Sequence, residues 1–146
     1  MNPEPHLSII ARTIQLSVAP VFLLTAIGTT LAILIGRLNR IVDRARILEG
    51  ILPSVTAKAE GEIHAELSAL SQRAKLINLA ITMGTVCAVL ICAMISLMFI
   101  GVFLSIDLAD VVAALFVGAT FVFIGALLTF LRETFIAVKN LRIGMQ

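Results

Sequence analysis

Tryptophan and tyrosine are absent from this 146-residue chain. Without them there are no aromatic belts of the kind that fix depth at a membrane surface, and phenylalanine and flanking arginine are left for that task. Charge is scarce as well. Only 14% of residues are Asp, Glu, Lys or Arg against 60% apolar, a ratio outside that of ordinary soluble domains. Nine acidic residues nearly balance eleven basic ones, for a net charge of +2. That balance excludes a strongly basic nucleic-acid binder and a disordered acidic tail alike. The two cysteines, Cys87 and Cys92, are five positions apart and so about 140° apart around a helix, which argues against an intrachain disulfide or metal pair. Small apolar packing is their expected role.

Catalytic signatures are missing too. The nine glycines form neither G-x-G-x-x-G nor G-x-x-x-x-G-K-[ST], so no phosphate-cradling loop is expected. No serine or cysteine nucleophile has a base at a recognisable spacing. His64 has Glu60 one turn earlier, but two ligands do not make a metal site. His6, in a segment broken by Pro3 and Pro5, has no sequence-adjacent partner. The expectation is a non-enzyme with no catalytic residue, cofactor or metal.

What the chain does have is three long stretches free of charge: 13–36 (24 residues), 76–106 (31 residues) and 111–131 (21 residues). A helix rising about 1.5 Å per residue needs roughly 20 apolar residues to cross about 30 Å of hydrocarbon, and each stretch meets that length. The predicted fold is therefore an all-α integral membrane helical bundle, a single membrane domain over 1–146. Its transmembrane helices are placed at 13–36, 76–104 and 111–131, with a cytoplasmic helical hairpin over 37–75, an external turn over 105–110 and a cytoplasmic tail over 132–146. The first stretch exceeds the apolar region of a signal peptide and is followed by arginines, so it is expected to stay uncleaved. Four arginines follow it within ten residues and only Arg12 precedes it, which by the positive-inside rule puts the N-terminus outside. The other basic residues agree: 37–75 holds seven, the tail holds Arg132, Lys139 and Arg142, and the turn holds none.

The cytoplasmic segments are expected to be helical. Leu38, Ile41, Val42, Ala45 and Leu48 recur at helical spacing, then Gly50 and Pro53 mark a turn and Ser54 offers an N-cap. Val55, Ala59, Ile63, Leu67, Leu70, Ala74 and Ile77 form a second apolar stripe, and Leu128, Leu131, Phe135 and Val138 a third running toward Gly144. Three such stripes can be buried together. Asp107 can cap the third helix, with Asp110 three residues later resembling a capping box.

Between helices in lipid, close packing depends on small residues. The first span carries Gly28, Ala32 and Gly36 at four-residue intervals, the second Ala80, Gly84, Ala88, Cys92 and Ser96, and the third Ala114, Gly118, Gly125 and Thr129. The long second run exceeds what one crossing needs, so packing plus self-association into a homo-oligomer is expected. Pro20 gives the first helix a kink, and Thr25 and Thr29 add hydroxyls. These three are candidate pore-lining residues, although such hydroxyls commonly bond to their own backbone.

The strongest local feature follows the first span: Arg37-Leu38-Asn39-Arg40-Ile41-Val42-Asp43-Arg44-Ala45-Arg46. Arg37, Arg40, Arg44 and Arg46 can attract anionic headgroups on the cytoplasmic side, and Asp43 lies three positions from both Arg40 and Arg46. These residues are candidates for lipid or partner contact. Together with the run Pro20-Val21-Phe22-Leu23-Leu24-Thr25-Ala26-Ile27-Gly28, the motif resembles a family of small bacterial three-helix membrane proteins known as a domain of unknown function. The resemblance implies a bacterial inner-membrane protein and assigns no activity. Three functions stay open: a self-associating assembly or interaction component, a homo-oligomeric channel lined by the first helix, and an anionic-lipid-binding regulatory module.

Overall fold

The computed structural model describes residues 4–54 and 56–143, leaving Val55 and Gly144 of the expected stripes outside the described residues. Three long helices account for most of it: α1 (Glu4–Ile51), α2 (Ala57–Leu104) and α3 (Ala109–Ile143). Pro5, expected to break the N-terminal segment, instead sits in the first turn of α1, where the missing N–H is no loss. Each helix is long and apolar enough to cross a membrane, with mean hydropathies of 2.3, 2.8 and 2.6 over an 18-residue window.

Proline and local hydrogen bonding set the ends. A 3-10 turn at Leu52–Ser54 closes α1, with Pro53 unable to continue the helix. Ser54 does not cap α2: its hydroxyl donates back to the Ile51 carbonyl at 2.8 Å. Thr56 takes the cap position, its carbonyl accepting the Glu60 N–H at 3.0 Å. At the other end of α2, Ser105 adopts a left-handed φ of 54° and the Ile106 N–H reaches the Gly101 carbonyl at 3.1 Å. This is the hydrogen bond of a Schellman stop, made with serine where glycine is the usual choice. Gly101 gives this turn room, because a Cβ on it would lie 3.1 Å from the Ile106 carbonyl oxygen and push the turn outward by a few tenths of an ångström. Asp107 Oδ1 accepts the Ala109 N–H at 3.0 Å, while the Leu108 carbonyl accepts the Val112 N–H. The cap of α3 is thus one residue later than expected, with Asp107 serving it from the preceding position.

The chain divides into two compact units, 1–30 with 84–124 and 31–83 with 125–146. In the first, Ile27, Cys87, Ile91, Met94 and Ala119 are buried, and the Cys87 thiol donates to the Ala119 carbonyl at 3.1 Å. In the second, Leu34, Ile41 and Leu48 of α1 pack against Ile63, Leu70, Ile77 and Ala80 of α2, flanked by Leu67, Ala74 and Phe130.

Within each helix the buried positions repeat every seven residues. They are 13, 20, 27, 34, 41 and 48 with 17 in α1; 63, 70, 77, 84 and 91 with 80, 87 and 94 in α2; and 119, 126 and 133 with 137 in α3. A strict seven-residue seam is the spacing of knobs-into-holes packing. It corrects two expectations. The four-residue stripe of α2 drifts off the seam, so Ala80 and Gly84 are buried while Ala88 is half-buried and Cys92 and Ser96 are exposed. The stripe Leu128, Leu131, Phe135 and Val138 of α3 faces outward, with Phe135 67% exposed, whereas Ala126, Glu133 and Ala137 face in. Apolarity does not mark the inner face of such a helix, because its outer face is apolar too.

Candidate functional site: a buried carboxylate shared by two arginines

Glu133 occupies the seam position that Ala126 and Ala119 occupy one and two heptads earlier, and its side chain has no exposure. A buried carboxylate is tolerated only when paired and hydrogen-bonded. The second unit supplies a partner from each of the other two helices. Arg73 of α2 donates to Glu133 Oε1 through Nε at 3.0 Å and sits 2.9 Å from it through Nη2. Arg37 of α1 places Nη1 3.4 Å from Oε2, while the same nitrogen donates to Thr134 Oγ1 at 2.9 Å. Arg37 also lies over the Phe130 ring, 5.0 Å from its centroid, a contact that orients the guanidinium. Thr134 in turn donates to the Phe130 carbonyl.

One oxygen of this arrangement is under-served: Glu133 Oε2 is buried and has no hydrogen-bond partner. The two arginine side chains are only partly buried, at 31% and 23% exposure. The cluster therefore joins three helices at one level of the unit and carries one positive charge in excess. A network of this kind adds little net stability against an apolar alternative, but it is costly to break and it fixes which residues oppose one another.

The predicted arginine motif separates accordingly. Arg37 turns inward to Glu133. Arg44 pairs across the hairpin with Glu66 at 2.9 Å, an exposed contact worth at most about 1 kcal/mol. Arg40, Asp43 and Arg46 are exposed, and among the described residues Asp43 pairs with neither arginine. Of the small-residue candidates, Ala80 and Gly84 pack inside, Ala88 and Gly118 are half-buried, and Gly28, Ala32 and Gly36 face outward. The pore candidates do not share a face: Pro20 is buried, whereas Thr25 and Thr29 are exposed. Their hydroxyls donate to the carbonyls of Val21 and Thr25 one turn back. His64 and Glu60 lie 3.8 Å apart on an exposed face, and no group of three metal-ligating side chains occurs among the described residues.

Glu133 and Arg73 escaped the sequence reading because both stand just outside charge-free stretches, where charges count toward sidedness. The available signal was the interval 119–126–133, in which a glutamate falls in register with two alanines.

These features define a multi-pass α-helical membrane protein with an Arg–Glu–Arg junction between its helices. The chain belongs to the family described as "Protein of unknown function (DUF2721)", whose model matches residues 17–143. No curated protein and no solved structure matches it.

Proposed function

We propose that the chain is a non-enzymatic, self-associating component of a bacterial inner membrane, acting in assembly or interaction. In this reading its N-terminus is outside, and its hairpin and C-terminus are in the cytoplasm. The observation that carries self-association is the outward face of α1. Gly28, Ala32 and Gly36 are all exposed, and a Cβ added at Gly28 or Gly36 would meet nothing within 4 Å. The same helix packs within the chain through Ile27, Leu34 and Ile41, so the small residues lie off its internal packing face. In lipid, a small-residue face lets a second backbone approach closely. The outward ridge of Leu128, Leu131 and Phe135 on α3 offers further apolar surface. Exposed Arg40 and Arg46 can hold anionic headgroups, at about 1 kcal/mol per basic side chain near the surface.

A channel has weaker support. Ile27, Ile91 and Ala119 have no exposure and occupy the interior of the first unit, so a conduit lined by Thr25 and Thr29 would have to form between copies.

The test is the mass of the particle in nanodiscs, compared between wild type and the double variant Gly28→Leu, Gly36→Leu. The expected outcome is an oligomeric wild type and a variant shifted to monomer with unchanged helicity, since both substitutions enter open space. A monomeric wild type at every protein-to-lipid ratio, or a variant with the wild-type mass, contradicts the proposal.

A further inference from the structure

The first unit contains an open groove of about 830 Å³ between its three helices, with Ala19 and Pro20 on α1, Met94 and Met98 on α2, and Ala113 and Phe116 on α3 among its walls. Its size is that of a small-molecule or lipid site, and its walls are apolar, as such sites usually are. Methionine walls adapt to flexible occupants. Asp107 also lines it, at the turn between α2 and α3, and is exposed there. Asp110 lines a different depression with Leu90 and Ala114. The end of the groove near the α2–α3 turn therefore carries a carboxylate, while its body is apolar.

The geometry points to an aminophospholipid as the occupant: acyl chain in the groove and primary ammonium on Asp107. Charge complementarity selects this headgroup. A purely anionic headgroup would meet the Asp107 carboxylate, and a choline headgroup has no N–H to donate to it. The groove opens within the apolar part of the first unit, so acyl chains are the surrounding solvent and a lipid enters without crossing water. The site is separate from the outward face of α1 invoked for self-association, and the two readings fail independently.

The test uses the full chain in dodecylmaltoside micelles containing equal amounts of dioleoyl phosphatidylethanolamine, phosphatidylcholine and phosphatidylglycerol. Lipid retained after gel filtration is quantified by mass spectrometry. The wild type is expected to retain the ethanolamine lipid about fivefold over each of the others, the size of one partly exposed ion pair. Asp107→Asn keeps the oxygen that accepts the Ala109 N–H, so the turn survives while the charge is lost. It should bring the three lipids to near-equal retention. Ala19→Phe with Ala113→Phe fills the groove and should reduce retention of all three lipids at unchanged particle mass. Equal retention of the three by wild type, an unchanged preference in Asp107→Asn, or undiminished retention in the filled variant would overturn the assignment. So would a fall in particle mass in the filled variant, which would identify the occupant as a second copy.

Discussion

Glu133→Ala is expected to destabilise the second unit by about 3 kcal/mol, because it leaves two guanidinium groups drawn toward a site with no counter-charge. The estimate sits at the low end for breaking a buried pair, since Arg37 and Arg73 retain 31% and 23% exposure and can turn partly to water. The two arginines should not be equivalent. Arg73 makes the direct hydrogen bond to Glu133, whereas Arg37 stands 3.4 Å away and is held by Thr134 and Phe130. Arg73→Gln should therefore cost more than Arg37→Gln. A triple variant with Leu at 37, 73 and 133 should recover most of the loss, as apolar replacement of a complete buried ion network is often neutral or better. The measurement is denaturant-induced loss of helicity in detergent, one curve per variant. A Glu133→Ala curve superimposed on wild type would show that the junction holds nothing.

Ile77→Ala should be of similar size by a different mechanism. Ile77 has no exposure and lies in the core with Leu34 and Ala80, and truncating a buried isoleucine costs about 2–5 kcal/mol in lost transfer energy and residual cavity. Val42→Ala on the same unit provides the contrast. Val42 belongs to the apolar stripe expected from sequence but is 37% exposed, and its truncation should change stability by less than about 0.5 kcal/mol. Equal effects at the two positions would show that the seven-residue seam is misplaced.

That contrast also shows what the sequence could and could not convey. Long charge-free stretches reveal spanning helices directly, because a helix in lipid must satisfy its own backbone and needs a set length. Pro53 and the stripe from Ala59 to Ile77 reveal the hairpin and the inner face of the first part of α2, where apolar and charged residues alternate around the helix. The same reasoning fails on α3, where Leu128, Leu131 and Phe135 look like a buried stripe yet point outward. With apolar surroundings on one side and a core on the other, hydrophobicity no longer separates them, and small size at 119 and 126 is the better guide. Glu133 was hidden for a related reason. Its neighbours in sequence make it look like a boundary charge, and only its register with Ala119 and Ala126 places it inside. The Ser105 turn could not be read from residue type, since the left-handed position that ends α2 favours glycine.

The central claim, that the exposed apolar surface is covered by bilayer with the hairpin and the α2–α3 turn on opposite sides, is tested most directly by cysteine labelling. Single cysteines at Ser54→Cys, Val89→Cys and Ile106→Cys, in a background where Cys87 and Cys92 are replaced by alanine, are treated with an impermeant maleimide in sealed right-side-out vesicles. On the proposed orientation with the N-terminus outside, Ile106→Cys should react at once and Ser54→Cys only after lysis. Val89→Cys should react in neither case, although Val89 is 62% exposed in the isolated chain. Labelling of positions 54 and 106 from the same side, or ready labelling of position 89 in intact vesicles, would contradict it.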